Sequence, residues 1–332
     1  MAVDERAVGE VDVPRVQSGP HPQHLLTTVM GEYLDSADAA LPAAAVVAVL
    51  GEFGVTAASA RAALSRVVRR GLVAVRATGR APLYHVTPAA IARHRSTMHR
   101  FLAFGAVPRA WDGQWLVVSY SLPESRHAQR HAVRKALGGL GFARLYDSVW
   151  ISPWADPDAV SEALRELLGV VAGARWSVMR ARFDDETGPG GPVAAYDLTG
   201  VASAYREFVD EHAPLRAAVR EGRVDAAAAL VARTRVMDAW RRFAVVDPDL
   251  PAHLLPHSWP RGEARETFLE IHSALGPLAQ GRLVELMAPS WPDAASWVTH
   301  YVASPDPRVS PLRGRPEARD GRPRGEGTVR ND

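Results

Sequence analysis

The chain has 332 residues, 47% hydrophobic and 23% charged, with a formal net charge of +2. That length holds two or three domains with more than one buried core, and the near-neutral balance by itself names no partner. Cysteine is absent, which excludes disulfides, thiolate zinc sites and a cysteine nucleophile; no stretch approaches the roughly 20 apolar residues of a membrane span, so a soluble, cytoplasmic protein is expected.

Residues 1–21 are polar, lack periodicity and contain Pro14, Gly19 and Pro20, as expected of a flexible arm. Leu25, Leu26, Val29, Met30 and Tyr33 recur at helical spacing and predict an amphipathic helix. Pro42 suits the first turn of a second helix, with Val46, Val47, Leu50 and Phe53 as its apolar stripe and Gly54 just past its end. Thr56 is a favourable N-cap for a third helix, in which Ala60, Leu64, Val67 and Val68 face inward. Arg61, Ser65 and Arg69 then fall at i, i+4 and i+8 on the opposite side, flanked by Ala58, Ala62 and Arg66. After Gly71 the period becomes extended, and residues 72–76 and 83–87 flank a basic tip at 77–82, predicting a β-hairpin. Three helices followed by such a hairpin make a winged helix-turn-helix, placed over residues 22–87. Thr87-Pro88 opens a linker helix over 88–110 through Ala90, Ile91, Arg95, Met98 and Phe101.

Charge singles this block out. The chain has one lysine, Lys135, and 38 arginines, in keeping with the codon bias of a GC-rich genome, so arginine abundance alone is weak evidence for nucleic-acid binding. Its distribution carries more. Between residues 55 and 111 stand ten arginines (61, 66, 69, 70, 76, 80, 93, 95, 100 and 109) and not one Asp or Glu. Codon bias explains why the basic residues are Arg, but not why the acids vanish here. Small side chains let a helix backbone approach a DNA groove, and guanidinium forks bond guanine edges or phosphates. The expected DNA-contacting residues are therefore Thr56, Ser59, Arg61, Ala62, Ser65, Arg66 and Arg69 on the third helix, with Arg76 and Arg80 on the hairpin. The bland alternative is a small helical domain with a solvated basic face.

Further on, a strand is predicted from Trp115 to Leu122 and a helix from Arg126 to Leu140 with Val133, Ala136, Leu137 and Leu140 inward. An extended stretch runs from Arg144 to Ile151, divisible at Tyr146-Asp147. Asp156-Pro157 opens a helix carrying Val160, Leu164, Leu167 and Leu168, and a strand follows from Arg175 to Phe183. This order suggests a ferredoxin-like α+β domain over residues 111–186. His127 and His131 have a zinc-capable i, i+4 spacing but no intervening Glu and no third ligand, and read as surface histidines. A Gly/Pro-rich loop at 188–192 marks a boundary. A mostly helical domain is expected over 196–290, with faces built from Val201, Ala204, Tyr205 and Phe208, from Leu230, Thr234 and Met237, and from Val236, Trp240 and Phe243. Residues 303–332 are rich in Pro, Gly and charge and are expected to be disordered.

Several segments together resemble PaaX-type regulators: Ala60-Arg61-Ala62-Ala63-Leu64-Ser65-Arg66, Trp111-Asp112-Gly113-Gln114-Trp115 with Val118 to Ser125, Gly141-Phe142 with Val149 to Pro153, Asp247-Pro248-Asp249-Leu250-Pro251, and Leu254 to Pro260. The resemblance spans residues 25–287. It implies a cytoplasmic, dimeric repressor of aromatic-acid catabolism, binding double-stranded operator DNA and released by an aryl-CoA thioester such as phenylacetyl-CoA. The family's middle domain resembles a small nuclease of CRISPR adaptation, whose metal-binding Asp ends the first strand. Here that region reads Ser119-Tyr120-Ser121-Leu122, with no acid until Glu124, so a dimerisation or scaffold role is expected. No catalytic residue, metal ligand or cofactor is assigned. Trp240, Arg241 and Arg242 with His257 and Trp259 are the candidate effector pocket, since aromatic rings and guanidinium groups suit an acyl group on a phosphate-bearing carrier; a packed tryptophan core with solvated arginines is the competing reading. Rival functions are a metal-dependent nuclease on the middle domain and a basic adaptor without sequence preference.

Overall fold

The structure, a computed structural model, describes residues 21–37, 39–78, 81–303 and 312–314. The chain begins α1 (Pro22–Tyr33), β1 (Ala40–Pro42), α2 (Ala43–Gly51), α3 (Ala57–Arg69), β2 (Val73–Thr78), β3 (Ala81–Val86) and α4 (Pro88–Ala103). It continues through β4 (Trp115–Ser121), α5 (His127–Gly139), β5 (Ala143–Tyr146), β6 (Val149–Ser152), α6 (Pro157–Leu168) and β7 (Arg175–Ala181). The remainder is helical except at its end: α7 (Leu198–Arg220), α8 (Ala226–Val246), α9 (Arg261–Ala274), α10 (Gly276–Met287), α11 (Ala294–Trp297), β8 (His300–Val302) and β9 (Leu312–Gly314). Among the described residues no helix is long and apolar enough to cross a membrane.

Contacts within the chain divide it into two compact units. One comprises residues 1–102, 218–238 and 271–332; the other comprises 103–217 and 239–270.

In the first unit, Pro42 departs from its expected place in the first turn of α2. It ends a three-residue strand and is the extended N-cap of that helix, at φ −70° and ψ 147°. This strand pairs antiparallel with β3 (Ala40↔His85, Leu41↔Tyr84, Pro42↔Leu83) at the edge of a sheet ordered β1-β3-β2, where a residue lacking N–H is tolerated. Strands β2 and β3 pair from Val73↔Val86 to Thr78↔Ala81, so the hairpin extends further toward its tip than expected; Gly79 and Arg80 lie outside the described residues. Helix α2 buries Ala45, Val46, Val49 and Leu50, and Phe53 falls in the turn beyond it. Gly54 there has φ +75°, a conformation that favours glycine.

A single apolar core joins Leu25, Leu26, Val29 and Met30 of α1 to Val46 and Leu50 of α2, Leu64 and Val67 of α3, and Ile91 of α4. Leu230 of α8 and Ala279, Leu283 and Met287 of α10 belong to the same core, with Arg282 on Glu52 at 2.8 Å beside it. Gly276 lets α10 approach β8, because a Cβ there would lie 2.5 Å from His300 Cδ2. Beneath α1 the interior is polar. Glu32, Arg233 and His272 are all fully buried. Arg233 donates to the Glu32 carboxylate, to the His272 carbonyl at 2.9 Å and to the Tyr301 carbonyl at 2.9 Å, with its guanidinium 5.1 Å above the Tyr33 ring. Burial alone would raise the Glu32 carboxyl, but Arg233 and His272 more than offset it and hold it below its ordinary value. Burial, reinforced by Arg233, pushes His272 down to about 4. Residues 312–314, expected within a disordered tail, form β9 against β8, from His300↔Gly314 to Val302↔Leu312; residues 304–311 and 315–332 lie outside the described residues, as do 1–20.

The second unit holds a four-stranded antiparallel sheet ordered β5-β6-β4-β7. The extended stretch after α5 does divide at Tyr146-Asp147. Period-two alternation gives the sheet two apolar faces. Leu116, Val118, Tyr120 and Trp150 pack with Val133 and Leu137 of α5 and Val160, Leu164 and Leu168 of α6. Trp115, Val117 and Ile151 point the other way, onto Leu250 and Leu254 with Tyr196. Asp156 caps α6 by accepting from Asp158 N–H at 3.0 Å.

Candidate nucleic-acid interface

Helix α3 is fixed from both sides. At its start the Thr56 hydroxyl accepts from Ser59 N–H at 3.3 Å, satisfying one of the donors a helix N-terminus leaves open. Ala60, Ala63, Leu64 and Val67 are buried in the core of the first unit. That locks the rotation of the helix and leaves Arg61, Ala62, Ser65 and Arg69 exposed with Thr56 at the N-terminus, while Ser59 and Arg66 are half-buried. The predicted α3 residues therefore do share one outward side.

They are not equivalent. Arg66 Nε folds back onto the Ala62 carbonyl at 3.2 Å, and the Ser65 hydroxyl donates to the Arg61 carbonyl at 3.1 Å. The guanidinium groups of Arg61 and Arg69 make no hydrogen bond or ion pair among the described residues. Arg76 is exposed on β2, next to Val75, which is 48% exposed; Arg80 lies outside the described residues.

The electrostatics follow from where the acids go. The described carboxylates of residues 21–103 are Glu32, Asp35 and Glu52. Each meets an arginine away from the α3 surface: Glu32 on Arg233, Asp35 on Arg95 at 2.7 Å and Glu52 on Arg282 at 2.8 Å. Arg95 is thereby engaged, although the sequence counts it with the basic set. Arg61, Arg69 and Arg76 keep their donors for an external acceptor.

The effector candidates separate. Trp240 is fully buried and stacks on Phe268, with ring centroids 4.9 Å apart and an interplanar angle of 7°. Arg242 is exposed and Arg241 half-buried. His257 and Trp259 instead line a cleft of about 500 Å3 with Gly105, His253 and Arg261. The Trp259 indole N–H is buried without a hydrogen-bond partner among the described residues. Sequence reasoning stopped at Pro260 and missed Arg261 immediately after it. Arg261 reaches Asp249 at 2.5 Å and Asp247 at 3.4 Å, and Asp247 also accepts from Tyr205 at 2.7 Å. The Asp247-Pro248-Asp249 segment thus anchors a turn in which Asp249 has φ +50°, and burial, with Arg261 opposing it, raises the Asp249 carboxyl. His127 and His131 are exposed on α5. Among the described residues no group of three or more His, Asp or Glu is gathered as metal ligands would be.

Comparison with known proteins gives matches along most of the chain. Residues 21–90 match the model described as PaaX-like protein, 108–187 the PaaX protein central Cas2-like domain, and 196–285 the PaaX-like protein C-terminal domain. The transcriptional repressor PaaX of Escherichia coli is 24% identical over 268 residues, covering 77% of this chain and 80% of that protein. An uncharacterized protein from Mycobacterium tuberculosis shares the fold, with a TM-score of 0.53 at 22% identity, over 80% of this chain and 98% of its own.

Proposed function

The chain belongs to the PaaX family, whose three domain models it matches in order, and on that premise we propose that it is a transcriptional repressor holding operator DNA with α3 and the β2–β3 hairpin. The succession α1-β1-α2-α3-β2-β3 with sheet order β1-β3-β2 supports reading this part as a winged helix-turn-helix. One observation carries the proposal: the acid-free surface of α3 on which the Arg61 and Arg69 guanidinium groups have no partner among the described residues, while the described carboxylates of residues 21–103 are held elsewhere. The α3 N-terminal half enters the major groove, where Arg61 reads a base edge and Ala58 and Ala62 admit the backbone. Arg69, Arg76 and Arg80 contact phosphates.

The sheet order β5-β6-β4-β7 across a β-α-β-β-α-β succession supports a ferredoxin-like middle domain with a scaffold and dimerisation role. The protein is a cytoplasmic, non-enzymatic homodimer on a roughly palindromic site. Its effector, an aryl-CoA thioester, enters the cleft at His253, His257 and Trp259, where the buried indole N–H awaits an acceptor. Arg261, already held by two aspartates, shapes that cleft rather than supplying a spare charge.

The test is a gel shift at fixed salt with the upstream region of the protein's own gene against a scrambled duplex, with and without phenylacetyl-CoA. Preference for the native sequence, relieved by the thioester, is expected. Equal binding of the two duplexes would mean an adaptor without sequence preference, and metal-dependent cleavage would favour the nuclease reading.

A further inference from the structure

Helices α5 and α6 lie side by side on one face of the β5-β6-β4-β7 sheet and carry opposite charge outward. Residues 125–146 contain five cations (Arg126, Arg130, Arg134, Lys135 and Arg144) and no acid. With the interval 55–111 at +10 and this one at +5 in a chain of net +2, the other 253 residues carry −13. This basic stretch is therefore as much an exception to its surroundings as α3 is. Val133 and Leu137 are buried against the sheet, which turns His127, His131, Arg134 and Lys135 to solvent. On α6, Val160, Leu164 and Leu168 are buried, and Asp158, Glu162 and Glu166 form an exposed i, i+4, i+8 stripe, broken only by Arg165. Within one chain the stripes do not meet. Among the described residues none of Arg134, Lys135, Asp158, Glu162 and Glu166 has a side-chain hydrogen bond or ion pair.

We propose that two copies of this chain pair through this helical layer, α5 of one on α6 of the other. A face that is basic along one side and acidic along the other is self-complementary under a two-fold rotation, because half a turn sets each stripe on its opposite twice. DNA suits the face less well. Packed helix axes are about 8–10 Å apart, so a duplex lying along α5 would carry its phosphates over Asp158, Glu162 and Glu166. The inference deepens the repressor reading by naming the pairing surface, and it rests on that reading only for what the pair presents: two heads to one operator.

The test uses the full chain without DNA, by sedimentation equilibrium at low and high ionic strength. The wild type is expected to dimerise at low salt and to dissociate as salt rises. Arg134→Glu with Lys135→Glu makes both stripes acidic, and Glu162→Lys with Glu166→Lys makes both basic. Each double variant, shown to be folded by circular dichroism, should self-associate on the order of ten-fold more weakly or worse. Mixed one to one, the two should recover a species of twice the chain mass. Dimers unchanged in either variant, a monomeric wild type, or a mixture that stays monomeric would overturn the proposal. So would lost DNA affinity in the α5 variant with its dimer intact, which would make the face a nucleic-acid contact. Wild-type dimers that show no operator preference would instead sink the repressor reading and leave this one standing.

Discussion

Helices α3 and α8 are written in much the same letters. One reads AASARAALSRVVR, and the other opens AAAALVARTRVMDAW. In α3 the arginines at 61 and 69 stand in solvent with no side-chain partner among the described residues, whereas Arg233 of α8 is fully buried, with three hydrogen-bonded acceptors and an aromatic ring beside it. What differs is the company supplied from elsewhere in the chain. Of these three, Arg233 alone is given a buried carboxylate among the described residues, and a guanidinium removed from water persists only where its donors are met. The comparison teaches that arginine content does not mark an exposed basic surface; the whereabouts of the carboxylates does.

The contrast can be broken most forcefully at its buried end. Arg233→Met leaves Glu32 as a buried charge without its counter-ion and is expected to cost about 3–5 kcal/mol of unfolding free energy, whereas Arg233→Met combined with Glu32→Leu should recover most of it. Urea denaturation of the three proteins decides between these outcomes. If the single change cost no more than the double, the network would not hold the fold together.

The same interior sets a pH response. Because His272 is held at about 4 in the fold and near 6.5 when unfolded, the unfolded chain takes up a proton that the folded chain refuses. Stability is complete above about pH 6.5 and declines as pH falls toward 4, by up to about 1.4 kcal/mol per pH unit. Glu32, held low, extends the loss below that window. Thermal melts across pH 4–7 should show this slope, and His272→Gln should flatten it.

For the exposed arginines the expected effects fall on binding and not on stability. Arg61→Ala should reduce discrimination between operator and scrambled duplex on the order of 5- to 150-fold. Arg76→Ala should weaken both duplexes alike and lower the salt slope by about 0.9. Identical competition curves for wild type and Arg61→Ala would place base reading elsewhere. The smallest effect is expected at Thr56→Ala, which removes the α3 cap and costs about 1 kcal/mol, measurable as a shift in the urea midpoint.

Much of the local architecture is legible in the sequence. Thr56 caps α3, the apolar spacing of Ala60, Leu64 and Val67 predicts the face it buries, and Tyr146-Asp147 marks the division between β5 and β6. Such features depend on neighbours a few residues away. Strand β1 is hidden because three residues give no period and Pro42 reads equally well as a helix opener. Arg66 looks identical to Arg61 by spacing, and only its return bond to Ala62 distinguishes them. Trp240 fits a pocket by composition, yet it is Phe268 that claims it for the aromatic core. Glu32 and Arg233 are 201 residues apart, and no periodicity reports a pairing at that distance.

The packing of α10 against α2 also sets an order of events during synthesis. The Arg282–Glu52 pair beside this contact closes a separation of 230 residues. Helices α1 to α3 leave the ribosome well before part of the wall they lean on has been translated. Domains usually fold as they emerge, and distant pairings are slow because a long loop must close before any contact rewards it. The core of α1 to α3 accordingly waits, partly uncovered, for α8 and α10. A chain terminated before α10 would carry a complete α3 on an unfinished core, which makes it a ready substrate for proteases.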